Sequence, residues 1–217
     1  MTLGVLVSGR GSNLDAILTA GLPVAIVISN RAGVPALEVA AAHHVAALVL
    51  RRADFADADA RDHAIGQALT DAGAAIAVLA GYDQLLRPTY FDAFAGRTIN
   101  IHPSLLPAHG GPGMVGMAVH RSVLEAGDRE SGATVHEVTA DLDAGPILAQ
   151  VRVPVLPADD ADTLATRVLA GEHRLLVTTL RRLVADRAPG GRSGMMRASI
   201  LAAPDAAPDS SRSSQGR

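Results

Sequence analysis

Asn100 and His102 stand two residues apart in the stretch Thr98-Ile-Asn-Ile-His-Pro103. In an extended strand that spacing projects both side chains from one face. Histidine is the side chain best suited to moving protons near neutral pH. An asparagine amide can donate to a carbonyl oxygen as it becomes an oxyanion. The turn-rich segment 139–146 adds two carboxylates, Asp141 and Asp143, either of which could orient such a histidine. An amide, an imidazole and a carboxylate together suit direct acyl transfer to a nucleophile, with no covalent enzyme intermediate. Taken alone, the Asn–His pair is explained as well or better by a strand end with a hydrogen-bonded Asn and a turn.

Other chemistries have less support. His102, His109, His120 and His136 fall close together, but their spacings match no zinc signature, and no metal is expected. There is no Gly-x-Ser-x-Gly elbow and no cysteine, which removes thiolate nucleophiles, Cys-ligated metals and disulfides. At the amino-terminal end, Leu3–Val7 is an apolar strand, followed by Ser-Gly-Arg-Gly-Ser-Asn at 8–13 and a helix start at Leu14. Ser12 or Asn13 is the expected cap. Free backbone amides and the positive end of a helix favour a phosphate there. The spacing is neither the dinucleotide fingerprint nor the P-loop, so a tight strand-to-helix connection fits equally well.

These residues must be carried by a sheet. Apolar strands at 3–7, 24–28, 46–50, 75–80 and 98–101 alternate with helices at 35–44, 61–72 and 88–94, with a polar loop over 51–60. Strands apolar on both faces and separated by helices imply a doubly wound, mostly parallel central sheet with helices on both faces. Ligands of such sheets gather beyond the carboxyl ends of the strands. The turns at 8–13, 81–86 and 100–113 are therefore expected to converge on one cleft. A helix at 118–126 follows. The alternating stretches 133–138 and 147–155 then suggest an antiparallel edge extension. A long amphipathic helix spans 160–185. The chain reads as one domain over 1–186, with an aperiodic 187–217 tail expected to be disordered or loosely packed.

Of 217 residues, 48% are hydrophobic but only 2% aromatic, so the core must be built from Ala, Val, Leu and Ile. A net charge of −3, with no basic run, argues against a nucleic-acid or membrane surface. No signal peptide or membrane-length apolar run is visible, so a cytoplasmic setting is expected.

Taken in order, the motifs resemble the folate-dependent formyltransferase family. Asn100-Ile-His-Pro-Ser-Leu-Leu-Pro107 resembles its signature, and Leu142-Asp-Ala-Gly-Pro146 its aspartate loop. Val7-Ser-Gly-Arg-Gly-Ser-Asn-Leu14, Ser29-Asn-Arg31, Thr134-Val-His-Glu-Val138, Arg167-Val168 and Glu172-His173 are similar to the purine-pathway branch. The resemblance covers roughly residues 1–185. It implies that the amine of glycinamide ribonucleotide attacks the formyl carbon of 10-formyltetrahydrofolate, a co-substrate. Asn100, His102 and Asp143 would be catalytic, and it is the resemblance that favours Asp143 over Asp141. Gly11, Ser12, Asn13, Leu14, Asp15, Pro103 and Glu172 would bind the acceptor. Asp83, Gln84, Leu85, Leu86, Asn100, Thr139, Ala140, Asp141, Leu142 and Asp143 would line the donor pocket, with His136 in support.

There are departures. Asp83-Gln84 replaces the family's usual Met-Arg, Ala58 stands where many members carry an arginine, and Leu169 replaces a polar residue. The expected partners are these small molecules, with the chain a monomer or homodimer. The resemblance disfavours the methionyl-tRNA member, which needs a carboxyl-terminal domain and basic surface, and the hydrolase, which needs a domain before the first strand. A formyltransferase for another amine, or a ribonucleotide-binding module with weakened catalysis, are the alternatives.

Overall fold

The computed structural model describes residues 1–139, 141–186 and 199–201. The elements in order are β1 (Thr2–Val7), α1 (Ser12–Thr19), β2 (Val24–Ser29), α2 (Pro35–Ala42) and β3 (Ala47–Val49). After a 3₁₀ turn at Arg52–Asp54 come α3 (Ala58–Asp71), β4 (Ala74–Leu79), α4 (Pro88–Ala93) and β5 (Arg97–His102). Then follow α5 (Met117–Ala126), β6 (Glu130–Glu137), β7 (Ile147–Pro154), α6 (Ala161–Ala185) and β8 (Ser199–Leu201).

The described strands form one sheet in the order β3-β2-β1-β4-β5-β6-β7-β8. Pairing is parallel from β3 through β5. It turns antiparallel at β5–β6 and β6–β7, and β8 runs parallel to β7. The doubly wound reading and its antiparallel extension are both present. Ser199–Leu201 lies within the stretch read as an aperiodic tail, where three residues are too few to show a period. The rest of 187–217 lies outside the described residues.

Aliphatic side chains fill both faces, as the scarcity of aromatics requires. One cluster joins Leu14 and Ile17 of α1, Ala36 and Ala40 of α2 and Leu164 to Leu183 of α6 to the strands. The other seats Ile65 and Leu69 of α3 with Tyr90 and Phe94 against Leu6, Ile28 and Ala77. Truncating such a buried Leu or Ile to Ala typically costs about 2–5 kcal/mol.

Local chemistry sets the helix starts. Asp160 and Thr163 form a reciprocal capping box on α6. Arg167 then reaches back to Asp159 at 2.6 and 2.8 Å, holding that carboxyl down at about 2. α3 begins at Ala58, earlier than its apolar spacing suggests, because Asp57 accepts from the Ala60 amide at 2.7 Å. Part of the expected 51–60 loop is thus helical. At α1 the expected side-chain cap is absent: Gly11 is the N-cap, in the left-handed region at φ 81°. A β-carbon there would lie 2.7 Å from the Ala36 Cα, so glycine is required both for the turn and for the approach of α2.

Candidate active site

The carboxyl ends of β1, β4 and β5 open onto two adjoining cavities. The larger is walled by Gly9 to Asn13, Ala80 to Asp83, Asn100 to Pro103, Leu169 and Glu172. The second lies toward Tyr82 to Leu86, Val138, Thr139 and Asp141 to Asp143. Tyr82, Asp83, Asn100, His102, Met114 and Val115 line both. The three strand-end turns converge as expected.

β5 and β6 position the polar centre. Their register sets Asn100 opposite His136 and His102 opposite Thr134. His136 Nδ1 lies 2.9 Å from the Glu137 carbonyl, which can only accept, so that nitrogen carries the proton. In the neutral ring Nε2 is then an acceptor, and it receives Asn100 Nδ2 at 3.1 Å. Burial pushes His136 below the usual histidine range, outweighing the Glu137 carbonyl and Asp143, which favour the charged ring. A neutral His136 thus fixes the asparagine amide and leaves the second Nδ2 hydrogen free of that bond.

His102 is 5% exposed. Its Nε2 donates to the His109 carbonyl at 2.9 Å, and its Nδ1 stands 3.8 Å from Asp143 Oδ2. Asp143 Oδ1 is 3.6 Å from His136 Nε2, and Oδ2 accepts the Gly111 amide at 2.9 Å. Asp143 holds a left-handed φ of 54°. Geometry therefore singles out Asp143 of the two candidate carboxylates, while Asp141 lies on the donor-side wall. The loop after β5 is braced by Thr134, whose Oγ1 donates to the Ser104 carbonyl at 2.7 Å and accepts the Leu106 amide at 3.0 Å. Gln150 donates to the Leu106 carbonyl at 3.0 Å.

On the other side, Asn13 Nδ2 donates to Glu172 Oε2 at 2.9 Å, while Asn13 Oδ1 has no hydrogen-bond partner. Burial raises Glu172 above the usual carboxyl range, against the opposing effects of Asn13 and Arg10. Gly11, Ser12, Asn13, Pro103 and Glu172 share this cavity wall. Leu14 and Asp15 do not. The Leu14 side chain is wholly in the core, and Asp15 faces His43 at 3.6 Å, because helical geometry turns these positions away from the cleft.

The second cavity takes in Asp83, Gln84, Leu85, Leu86, Asn100, Thr139, Asp141, Leu142 and Asp143. Ala140 lies outside the described residues. The Asp83-Gln84 departure is locally answered. Asp83 binds Arg31 and accepts Asn30 Nδ2 at 2.8 Å, and Ser8 Oγ accepts its backbone amide at 3.0 Å. Burial alone would raise Asp83, but its hydrogen bonds and the Arg31 charge leave it below its ordinary value. Gln84 Oε1 accepts Arg61 Nη1 at 3.0 Å. Arg61 is 2% exposed and paired with the fully buried Asp62, so its guanidinium is already committed and does not stand in for the arginine absent at Ala58. Asp62 Oδ2 also accepts the Arg87 amide at 2.8 Å, which anchors the far end of the same wall.

Sequence reasoning did not anticipate Arg31, Arg61 or Asp62 as supports, or His109 as a partner of His102. Arg31 lay in a quoted motif, and an acidic residue two strand-ends away was its one visible signal.

Residues 1–180 match the formyl transferase family. The chain belongs to the formyl transferase family. Within that family, the chain is 38% identical over 181 residues to the phosphoribosylglycinamide formyltransferase of Escherichia coli, covering 81% of this chain and 83% of that one. It is also 38% identical over 190 residues to the trifunctional purine biosynthetic protein adenosine-3 of Drosophila melanogaster, covering 84% of this chain. The chain spans only 14% of the length of that insect relative. A solved formyl transferase, the glycinamide ribonucleotide transformylase 1 of Symbiobacterium toebii, superposes with a TM-score of 0.81 at 41% identity, covering 86% and 89% of the two chains. Among the described residues no helix is long and apolar enough to cross a membrane.

Proposed function

We propose that the chain transfers the formyl group of 10-formyltetrahydrofolate to the amine of glycinamide ribonucleotide in purine biosynthesis. The observation that carries this reading is the meeting of two cavities at Asn100 and His102, with Asp143 behind the histidine. The larger cavity takes the ribonucleotide. Its phosphate meets the amides of the Gly11–Asn13 turn at the start of α1. Glu172 and the unpartnered Asn13 Oδ1 receive the amino end. The second cavity takes the folate, its pteridine against Leu85, Leu86, Thr139 and Asp141 to Asp143.

The amine lone pair forms a bond to the formyl carbon, and the carbonyl π pair moves onto oxygen. The free Nδ2 hydrogen of Asn100 is placed to meet that oxyanion. His102, set against Asp143, handles the proton that leaves the attacking nitrogen. Collapse breaks the bond to the folate N10, and the N10 nitrogen takes up a proton. Family membership and the names of the relatives support the substrates; the distances around His102 support the roles. The reading carries with it a cytoplasmic setting and small-molecule partners, with the chain acting as a monomer or homodimer.

The test is an optical assay of deformylation with a 10-formyl-folate analogue and glycinamide ribonucleotide. Wild-type protein should turn over. His102→Ala should lower kcat by at least roughly 100-fold with an unchanged circular dichroism spectrum. Near-normal turnover by folded His102→Ala would sink the mechanism, and binding without turnover by the wild type would sink the activity.

A further inference from the structure

We propose that His109 is a positioning residue for His102 and Asp143, its ring fastening to α5 the short backbone segment that orients them both. Segment 109–111 touches both members of the pair. The His109 carbonyl receives His102 Nε2–H at 2.9 Å, and two residues on, the Gly111 amide donates to Asp143 Oδ2 at 2.9 Å. The same carboxylate oxygen is the one 3.8 Å from His102 Nδ1. A shift of this segment would therefore turn the imidazole and the carboxylate together.

The segment has no regular structure of its own, and His109 adopts a left-handed φ of 53°, a region uncommon outside glycine but one that histidine enters more readily than most residues. The ring anchors the segment. Nε2 is 2.7 Å from Asp128 Oδ2, and Nδ1 is 2.8 Å from Ser122 Oγ. Ser122 lies within α5, and Asp128 is tied to the end of that helix by its amide to the Val123 carbonyl at 3.3 Å. The His109 side chain is 12% exposed, while that of Asp128 is 44% exposed. Arg129 and Glu130 are the other charged groups around the small cleft beside the ring. The contacts thus run from helix to ring, from ring to backbone, and from backbone to the reacting histidine.

That His102 is the proton-handling group rests on the function proposed above; its geometry is measurable without that function. The experiment combines ¹⁵N NMR of the histidine rings in ligand-free protein with steady-state kinetics. The variants are His109→Ala, His109→Asn and Asp128→Ala. His109→Asn accepts the left-handed backbone but lacks the ring, and Asp128→Ala removes a largely exposed carboxylate, so the fold is expected to survive. In the wild type, His102 Nε2 should read as the protonated nitrogen. In all three variants its two nitrogens should move toward exchange-averaged values. In all three, kcat should fall about 10- to 100-fold, with both KM values within about twofold. Unchanged His102 signals in Asp128→Ala and His109→Asn overturn the proposal, whatever the rates do. So does a kcat within twofold of wild type in both. If the wild-type protein shows no formyl transfer, the function fails while the NMR comparison still decides the positioning role.

Discussion

Single side chains in this cleft are held by partners that fix their protonation as well as their direction. His136 is the clearest instance. Its proton is committed to a carbonyl, so its other nitrogen must accept, and Asn100 must donate. His136→Ala should lower kcat about 10-fold, less than the roughly 100- to 1000-fold expected for loss of an oxyanion donor, since Asn100 remains but its amide is free to turn. Single-turnover rates of His136→Ala and Asn100→Ala would check the order. Glu172 makes the opposite compromise, a carboxyl kept in a buried place. Its folded value is raised, so the residue costs stability above its unfolded value near pH 4.3. The cost grows as pH rises to the folded value and is constant beyond it. Glu172→Gln keeps a carbonyl oxygen to accept from Asn13 without the charge. It should be neutral for stability in acid and stabilising at higher pH, with Tm rising roughly 2–4 °C for each kcal/mol of relief. The same variant should raise the KM for the ribonucleotide. Melting curves across pH with parallel kinetics test both halves; a Tm gain in acid alone would contradict the sign.

The same cleft depends on how closely its elements approach. α2 packs against the turn ahead of α1 so tightly that Gly11 admits no side chain. Gly11→Ala adds a backbone penalty of about 1–2 kcal/mol and a clash with Ala36, and it displaces the amides assigned to the phosphate. The KM for glycinamide ribonucleotide should rise more than tenfold while the folate KM moves little; equal losses on both sides would argue that the turn serves the fold alone. Much of this level was legible in the sequence. Periodicity located the strands and helices, and the Asn-x-His spacing on a strand located the centre. What escaped was contact made through the backbone or between distant turns. The His109 carbonyl leaves no trace in residue type, and the left-handed φ of His109 has no glycine to announce it. Asp83 reads as a hostile charge until the fold brings Arg31 and Asn30 beside it. Gln84 likewise acquires meaning only when α3 brings Arg61 within 3.0 Å.

The molecule as a whole keeps both cavities open to the same pair of side chains at once. With Asn100 and His102 on the shared wall, the proposed direct transfer requires both substrates to be present together. Initial-rate plots against one substrate at fixed levels of the other should therefore intersect. Parallel lines, or a formyl group retained by the protein after incubation with donor alone, would refute direct transfer. The carboxylate choice between Asp141 and Asp143 belongs to this scale too. Spacing left it open; the antiparallel return of β6 carries the following loop back over β5 and brings Asp143 within 3.8 Å of His102.

β5 meets a parallel neighbour, β4, on one side and an antiparallel neighbour, β6, on the other. That seam divides the labour of the cleft along the chain. The wall assigned to the acceptor adds the 9–13 turn and Leu169 and Glu172 of α6 to residues 80–83, 100–103 and 114–116, while the transfer centre and the donor wall are drawn from residues between Leu79 and Asp143. Such a layout is modular for change. A lineage, or an engineer, can recast the acceptor by rewriting the 9–13 turn and the residues around Leu169 and Glu172, and leave the formyl-handling apparatus on the seam untouched.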